Sequence, residues 1–227
     1  MTLVTAFDDR PSTTARALAA TPVVCVVHDD AAMRESLELL IEAAGWRADV
    51  FSSPAAFLAR PRVQGPSCLV LDVTLPGVNG LDLQKRVAAE RPDMPILFVT
   101  DTCDIAATVQ AMKAGAFEFL CRPFSEKVLV DAIRGALDRS RRLLARDAET
   151  RGLRESYASL TPREREVMVL VVSGLLNKQV GGELGISEIT VKAHRGQVMR
   201  KMKAASLPAL VHMVTTLGLD SASAPAA

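Results

Sequence analysis

Residues 69–77 read LVLDVTLPG, an apolar run that ends at the carboxylate of Asp72 and turns directly afterwards at Pro76 and Gly77. Continuous aliphatic runs of this kind are typical of strands buried on both faces of a parallel sheet. The carboxyl ends of such strands open onto the ligand crevice of an α/β fold. Because aspartate also serves as a covalent nucleophile in phosphoryl transfer, Asp72 is the first candidate for a functional residue.

The sequence around this run alternates between two periodicities. Strand patterns occur at residues 23–27, 47–51, 68–71, 96–100 and 117–121, and helical patterns follow them at 33–44, 54–58, 81–89, 106–114 and 128–144. This alternation predicts a doubly wound α/β domain with a five-stranded parallel sheet. From residue 160 to 219 no strand pattern remains, and about four short helices predict a small second domain of the all-α class.

A segment rich in Arg, Asp and Glu separates the two predicted domains. We expect a disordered leader at 1–21, the α/β domain at 22–138, a helical linker at 139–157, the all-α domain at 158–219 and a disordered tail at 220–227. No apolar run approaches the ~20 residues of a membrane helix, and the first residues lack a signal-peptide pattern. The sequence therefore predicts a cytoplasmic protein with no membrane partner.

The composition also limits the chemistry. Of the 227 residues 49% are hydrophobic but only 4% are aromatic, so the cores are expected to be aliphatic. The cysteines form no C-x-x-C pair, and the sequence has no histidine cluster, which argues against a zinc site. Their apolar flanks predict buried thiols in a reducing cytosol. The cysteines are Cys25, Cys68, Cys103 and Cys121.

Polar residues stand where four of the predicted strands end. They are His28, Asp29 and Asp30 after the first strand, Asp72 after the third, Thr100 and Asp101 at the fourth, and Arg122 after the fifth. Parallel strands share one carboxyl edge, so these side chains are expected to lie close together. Carboxylates with a phosphoryl partner suit Mg²⁺, and a nearby cation would hold the remaining phosphoryl oxygens.

The segments VVHDD, LDVTLPGVNG, FVTD, MKAGAFEFL and CRPF resemble the receiver domain of bacterial two-component response regulators. The resemblance implies that Asp72 is the phospho-acceptor and that a sensor histidine kinase phosphorylates it. It implies Asp29, Asp72 and the backbone carbonyl of Thr74 as Mg²⁺ ligands. It also implies a switch made of Thr100, whose hydroxyl follows the phosphoryl group, the aromatic Phe119 and the cation of Arg122.

Three positions depart from the family pattern. His28 replaces the first member of the usual acidic pair, Asp101 replaces a small residue, and Arg122 replaces lysine. Imidazole is a poor partner for Mg²⁺, so His28 should weaken metal binding unless Asp30 substitutes for it. The carboxylate of Asp101 should repel a phosphoryl group unless Arg122 pairs with it.

These departures leave two interpretations open. In the first, Asp72 is phosphorylated, but more slowly or with a different metal preference. In the second, the domain is a pseudo-receiver, and DNA binding is independent of phosphorylation and tuned by dimerisation, protein partners or redox chemistry at Cys103 and Cys121.

The second domain carries dense helix signals. Thr161 is expected to cap a helix, with Pro162 at its first position and Glu164 completing a capping box. A short helix over 177–184 is followed by a Gly-containing turn and by a helix over 188–202 that Ser187 caps. This arrangement is typical of a helix-turn-helix, whose second helix enters the major groove. Residues 156–219 carry eight Lys and Arg against four Glu, which suits double-stranded DNA.

The stretch that begins LTPREREVMVLVVSGL resembles the LuxR-type helix-turn-helix. If Val191, Val198 and Met202 face the core, the opposite face of the last helix stays free for DNA. The resemblance implies base contacts from Lys192, Ala193 and Gly196 and phosphate contacts from Lys178, Thr190 and Lys201. The complete set of candidate DNA-binding residues is Lys178, Ser187, Thr190, Lys192, Ala193, His194, Arg195, Gly196 and Lys201.

A receiver followed by this helix-turn-helix resembles the NarL/FixJ class of response regulators. The resemblance implies a transcription factor rather than an enzyme, which forms a homodimer on phosphorylation; RNA polymerase is a candidate further partner. Residues 206–217 contribute either a dimer contact or simple core packing. Gly181 and Gly182 lie in one short helix and cost about 1 kcal/mol each relative to Ala, which predicts a marginally stable domain.

Overall fold

The computed structural model describes residues 21–75 and 77–219. The predicted tail and all of the predicted leader except Thr21 lie outside the described residues. The chain divides into two compact units that meet between Ala145 and Arg146. We refer to them as the α/β unit and the helical unit and describe each by itself.

The α/β unit contains the predicted five-stranded parallel sheet, so the predicted fold class is confirmed. The strands are β1 (Val23–Val27), β2 (Arg47–Phe51), β3 (Ser67–Leu71), β6 (Ile96–Thr100) and β7 (Glu118–Cys121), in the order β2-β1-β3-β6-β7. Each strand agrees with its prediction to within one residue. An antiparallel hairpin of two-residue strands, β4 (Thr74–Leu75) and β5 (Val78–Asn79), was not predicted because strands this short show no periodicity.

Helices cover both faces of the sheet. They are α1 (Ala31–Ala43), α2 (Pro54–Ala59), α3 (Gly80–Glu90), α4 (Ile105–Lys113) and α5 (Glu126–Ala158). One core cluster joins the sheet to α2, α3 and α4 through Phe57, Val87 and Ala111, and the other joins it to α1 and α5 through Ile41 and Ile133. The two faces are both apolar because successive strand residues point to opposite sides.

Helix α5 is held in place by several buried contacts, whereas α4 is held by fewer, among them a hydrogen bond of 2.9 Å from the buried Gln84 side chain of α3 to the Ala111 carbonyl. The buried hydroxyl of Ser140 on α5 accepts a hydrogen bond from the Ser67 N–H at 3.1 Å and donates one to the Asp93 carbonyl at 2.7 Å. Helix α4 buries a single residue, Ala111. The residues predicted as a helical linker belong to α5. No helix in the described ranges has the length and apolar character needed to span a membrane.

The helical unit contains α6 (Pro162–Val172), α7 (Asn177–Leu184), α8 (Glu188–Lys201) and α9 (Leu207–Thr216). The predicted capping box starts α6: the Thr161 hydroxyl accepts from the Glu164 N–H at 3.2 Å, and the Glu164 carboxylate accepts from the Thr161 N–H at 2.8 Å. Leu210 and Val214 of α9 are buried in the core of this unit. Core packing, one of the two interpretations of α9, is therefore present.

The two glycines of α7 differ in their surroundings. A Cβ added at Gly181 would lie 2.8 Å from the Ile186 carbonyl oxygen, which is closer than real Cβ contacts come. A Cβ added at Gly182 would meet nothing within 4 Å. The expected cost of about 1 kcal/mol relative to Ala therefore holds for Gly182 only, because Ala at position 181 would collide with the turn that follows the helix.

Candidate functional site

Asp72 lies directly after β3, at the carboxyl edge of the sheet. Its backbone N–H donates to the Val27 carbonyl at 3.2 Å, which ties it to the end of β1. Its side chain is largely buried, and Oδ1 accepts a hydrogen bond from the Thr74 N–H at 3.2 Å. The carboxylate is therefore fixed at one oxygen by the chain itself, and Oδ2 faces the neighbouring strand end.

His28, Asp29 and Asp72 form the acidic cluster that the sequence predicted at this edge. One ligand atom from each lies within 4.8 Å of the other two. The His28 Nε2 atom is 3.7 Å from Asp72 Oδ2, and the Arg34 guanidinium bonds the carbonyls of His28 and Asp29 at 2.8 Å each. The loop after β1 is thus clamped so that it presents these side chains to Asp72.

The hydrogen bonding of His28 defines its tautomer. Its Nδ1 atom accepts the Asp30 N–H at 3.1 Å, so a neutral imidazole carries its proton on Nε2, the atom that faces Asp72. In this state neither ring nitrogen has a lone pair free for a metal. The carboxylates of Asp29 and Asp72 remain as oxygen ligands that fit Mg²⁺.

Asp30 does not take the place of the missing acid in this cluster. Its carboxylate caps α1 and accepts the Met33 N–H at 3.1 Å. That backbone donor, together with the Ala32 N–H, lowers the pKa of Asp30 below its ordinary value. The exception suggested by the sequence, in which Asp30 substitutes for His28 as a metal ligand, is therefore not seen.

Thr100, Asp101 and Arg122 lie at the ends of the two adjoining strands. Thr100 is buried, and its hydroxyl accepts the Thr102 N–H at 3.3 Å. The Arg122 N–H donates to the Thr100 carbonyl at 3.0 Å, and the Arg122 Nε atom is 3.7 Å from Asp101 Oδ1. The compensating pair expected between Asp101 and Arg122 is present, although Asp101 is 74% exposed and the pair adds little stability.

The side chains of Arg122 and Phe119 both pack against neighbouring side chains of the α/β unit. The Arg122 guanidinium also contacts the Met33 sulfur and lies over the Phe124 ring, 5.8 Å from its centroid. Phe119 is half-buried on β7, with its ring 5.6 Å from that of Phe98. The switch roles that the resemblance gives to Thr100, Phe119 and Arg122 stay predictions.

Two of the four cysteines differ from the prediction. Cys25 and Cys68 are free and buried, as predicted, but Cys103 and Cys121 form a disulfide bond. The sequence could not show this pairing because it depends on the sheet register, in which Cys121 lies opposite Thr100 and next to the loop that carries Cys103.

Gly80 is a residue of this site that the sequence analysis missed. A Cβ at this position would overlap the carbonyl oxygen of Asp72 and lie 3.0 Å from the Val73 Cα atom. The first residue of α3 therefore has to be glycine for the chain to pass this close to Asp72. The only signal in the sequence is the Asn-Gly pair, which by itself reads as a turn.

The second candidate site is the exposed face of α7 and α8. Val191 and Val198 are buried, as predicted, and this orients α8 with its other face outward. Ser187 caps α8 by accepting the Thr190 N–H at 3.1 Å. The candidate DNA-binding residues that are exposed are Lys178, Ser187, Thr190, Lys192, Ala193 and Gly196.

The remaining candidates are half-buried, and two of them bind within the unit. Arg195 donates to the Asn177 side chain at 3.1 Å and so joins α8 to α7. The Lys201 ammonium donates to the Glu164 carboxylate at 2.6 Å and to the Ser159 carbonyl at 3.1 Å. The Lys201 partner, followed by the Thr161 N–H, lowers the pKa of Glu164. His194 is half-buried, next to the exposed Ala193.

Comparison with known proteins identifies both regions. Residues 24–134 match the family model of the response regulator receiver domain, and residues 158–214 match that of the bacterial regulatory proteins of the luxR family. Nodulation protein W of Bradyrhizobium diazoefficiens is 45% identical over 199 residues, 88% of this chain and 88% of that protein. The transcriptional regulatory protein FixJ of Azorhizobium caulinodans is 40% identical over 88% of this chain and 94% of its own length.

A solved structure agrees with these relatives. The low-resolution structure of the response regulator StyR has a TM-score of 0.76 and 45% identity, and the match covers 86% of this chain and 99% of that one.

Proposed function

The chain belongs to the response regulators that join a receiver domain to a LuxR-type DNA-binding domain, and we propose that phosphorylation of Asp72 is what controls its binding to DNA. Its relatives include transcriptional regulators. The receiver domain implies control by phosphorylation from a histidine kinase, and the LuxR-type domain implies DNA binding. The proposal concerns which residues carry these steps.

The cluster of His28, Asp29 and Asp72 is the observation that carries the proposal. Two carboxylates from neighbouring strand ends are the oxygen donors that Mg²⁺ prefers, and the Thr74 carbonyl follows directly in the chain. Asp29, Asp72 and Thr74 would therefore hold the metal. When bound, Mg²⁺ neutralises charge on the transferring phosphoryl group.

The departures from the family pattern compensate one another around Asp72. His28 stands in place of one carboxylate and so removes its negative charge, and its Nε2 atom faces Asp72 Oδ2 at 3.7 Å. Asp101 adds a carboxylate, but the Arg122 guanidinium lies beside it. The net charge near the acceptor is thus close to that of a site with two acids and one cation. We expect phosphorylation to persist with weaker metal binding, because His28 stands where the usual site has a second carboxylate beside Asp29.

A stripe of apolar side chains supports pairing of two receivers. Ile105, Val109 and Met112 of α4 are exposed, Ile105 to 81%, and their spacing places them on one face of the helix. Val128 at the start of α5 is also exposed. Exposed apolar stripes of this size on a soluble unit are typical of interaction surfaces. The stripe is the proposed surface of a homodimer that forms on phosphorylation.

The exposed face of α8 is the proposed surface for base readout. Lys192, Ala193 and Gly196 face outward together, and Lys192 is the one among them that can donate to a base edge. Lys178 and Thr190 are placed to contact phosphates. Ile189 is 83% exposed in the first turn of α8 and suits apolar contact with a thymine methyl group. A dimer would place two such helices about one DNA turn apart. RNA polymerase is a candidate further partner of the DNA-bound dimer.

Incubation with a small phosphodonor and Mg²⁺ tests the proposal. Intact mass and peptide mapping should find one phosphoryl group on Asp72, and Asp72→Asn should abolish it. Binding to a duplex from a random-site selection should tighten on phosphorylation in the native chain only. If no divalent metal supports phosphorylation of Asp72 while the chain still binds DNA, the alternative of a phosphorylation-independent pseudo-receiver is correct. The departures at His28 and Asp101 are the observations that favour this alternative.

A further inference from the structure

The disulfide between Cys103 and Cys121 lies next to the candidate site around Asp72, Thr100 and Arg122. Cys103 lies in the loop between β6 and α4, and Cys121 is the last residue of β7, directly before Arg122. Their Cα atoms are 5.6 Å apart, a separation that disulfides readily span. Because Thr100 is the register partner of Cys121, the bond ties the loop that begins at Thr100 to the strand that ends at Arg122.

The two pairs of cysteines differ in accessibility. Cys103 is exposed and Cys121 is half-buried, so a small thiol or disulfide can reach the bond. Cys25 and Cys68 are fully buried, and burial raises the pKa of both thiols, which suppresses the reactive thiolate. They also belong to core clusters on opposite faces of the sheet and cannot bond to each other. Oxidation within one chain is therefore confined to Cys103 and Cys121.

We propose that Cys103 and Cys121 are a reversible redox site that restrains the response of the receiver domain to phosphorylation. In the reduced chain the loop after Thr100 is free to follow the Thr100 hydroxyl when that group engages a phosphoryl on Asp72. In the oxidised chain the same loop is fixed to β7. The bond forms in the arrangement in which this loop lies beside the end of β7, so oxidation favours that arrangement over any in which the loop moves away.

The oxidant is a low-molecular-weight disulfide such as oxidised glutathione. The Cys103 thiolate attacks one of its sulfurs, a mixed disulfide forms, and one small thiolate leaves. The Cys121 thiolate then attacks the Cys103 sulfur and releases the second small thiolate. The protein loses two protons and two electrons, which reduce the small disulfide to two small thiols, and excess reduced glutathione runs the same exchange backwards.

The restraint should act in both directions. If the cross-link opposes the phosphorylated arrangement, then a phosphoryl group or its analogue must oppose the cross-link by the same factor. This coupling rests on the proposed phosphorylation of Asp72, but the redox site itself does not. The two can therefore be tested separately on the full-length chain.

The first experiment equilibrates the chain with mixtures of reduced and oxidised glutathione, then unfolds it in excess N-ethylmaleimide so that every free thiol is blocked, and measures intact mass. We expect two thiols to disappear together, with the loss of two hydrogens and no attached glutathione. Cys103→Ser and Cys121→Ser should each block this loss and instead retain one glutathione. Loss of two thiols in either variant, or four blocked thiols in the native chain at every ratio, would overturn the site.

The second experiment titrates beryllofluoride, a phosphoryl analogue, with Mg²⁺ and follows binding by fluorine NMR. We expect the oxidised chain to bind about fivefold more weakly than the reduced chain, the lower end of typical allosteric couplings. The double variant Cys103→Ser/Cys121→Ser should bind equally under both conditions. Equal affinity of the oxidised and reduced native chain would overturn the coupling. Absence of binding in the reduced chain would overturn the proposed function and the coupling, while the mass experiment still decides the redox site.

Discussion

The receiver domain takes its functional side chains from strand ends far apart in the sequence, whereas the DNA-binding domain takes its own from two consecutive helices. His28, Asp72, Thr100 and Arg122 share one edge because β1, β3, β6 and β7 are neighbours in the sheet. The DNA-binding candidates all lie between residues 177 and 201, on α7, on α8 or, for Ser187, at the cap that starts α8.

This difference determines how each site tolerates change. At the carboxyl edge of the receiver sheet, a departure from the family pattern at one strand end is compensated at another, since the Arg122 guanidinium lies beside the Asp101 carboxylate. On α8 the role of a residue depends on whether it faces outward or binds within the domain, as the exposed Lys192 and the internally bound Lys201 show. Backbone geometry should therefore dominate in the first site and individual charges in the second.

Substitution at Gly80 tests the dominance of backbone geometry and has the largest expected effect. Gly80→Ala forces Cβ against the Asp72 and Val73 backbone, so we expect about 3 kcal/mol of destabilisation and a displaced Asp72. Urea unfolding followed by the fluorescence of Trp46, the single tryptophan, measures the receiver domain, and phosphodonor labelling measures Asp72. Gly135→Ala is the control within the same unit, since a Cβ there would approach only the end of the Phe117 side chain, at 3.0 Å, and no backbone atom. Equal stability of the two variants would contradict the close approach.

Removal of the buried charge at Glu164 tests the opposite claim for the DNA-binding domain. Glu164→Gln keeps an acceptor for the Thr161 N–H but loses the charge that binds Lys201, so we expect a loss of about 2 kcal/mol. The surface pair variant Glu166→Gln should cost under about 1 kcal/mol. Unfolding followed at Tyr157, the single tyrosine, reports this domain.

The stability difference between the native chain and Glu164→Gln should depend on pH. The pKa of Glu164 is lowered in the folded state, so its contribution is complete above the ordinary value of 4.5 and is lost as the pH falls through the folded value. The native domain should thus lose stability relative to Glu164→Gln only below about pH 4.5. A stability difference that is constant with pH would show that the carboxylate acts through its shape alone.

The two lysines of α8 separate DNA contact from internal support. Lys192→Ala should weaken specific DNA binding by about 1–2 kcal/mol and leave unfolding unchanged. Lys201→Ala should lower the free energy of unfolding, because it leaves the Glu164 carboxylate without its partner. Anisotropy titrations at several salt concentrations compare the two. If both variants lost the same DNA affinity and neither lost stability, Lys201 would contact a DNA phosphate, as the resemblance implies.

The smallest expected effect distinguishes the adjacent glycines of α7. Gly182→Ala should stabilise the DNA-binding domain by about 1 kcal/mol, because a helical alanine has less backbone freedom to lose. Gly181→Ala should give no such gain, since its Cβ would lie 2.8 Å from the Ile186 carbonyl oxygen. Urea midpoints of the two variants at Tyr157 decide the matter. If Gly181→Ala gained as much stability as Gly182→Ala, the turn at Ile186 would have to shift at no cost in free energy.

Local signals predicted most of the fold, and contacts between distant segments account for what they missed. The capping box of Thr161 and Glu164, the strand at 96–100 and the helix at 177–184 each follow from neighbouring residues, and the structure contains all three. The disulfide and the overlap at Gly80 depend on which strands and loops adjoin, and no periodicity encodes that. The partners of Asp30 and Lys201 were likewise not predictable, because a carboxylate or an ammonium in a sequence does not reveal what it binds; the DNA contact of Lys201 stays a prediction.

The two hydrogen bonds of Ser140 have a consequence for how the receiver can change shape. They fix the axial position of α5 at one end of the sheet, because sliding this helix would break the bonds that the Ser67 N–H and the Asp93 carbonyl make to its buried hydroxyl. Helix α4 has no such bond to the sheet in the described residues; the buried Gln84 side chain of α3 donates to its Ala111 carbonyl instead. Any rearrangement of the receiver should therefore leave α5 in place at Ser140, while α4 moves together with the helix to which it is bonded.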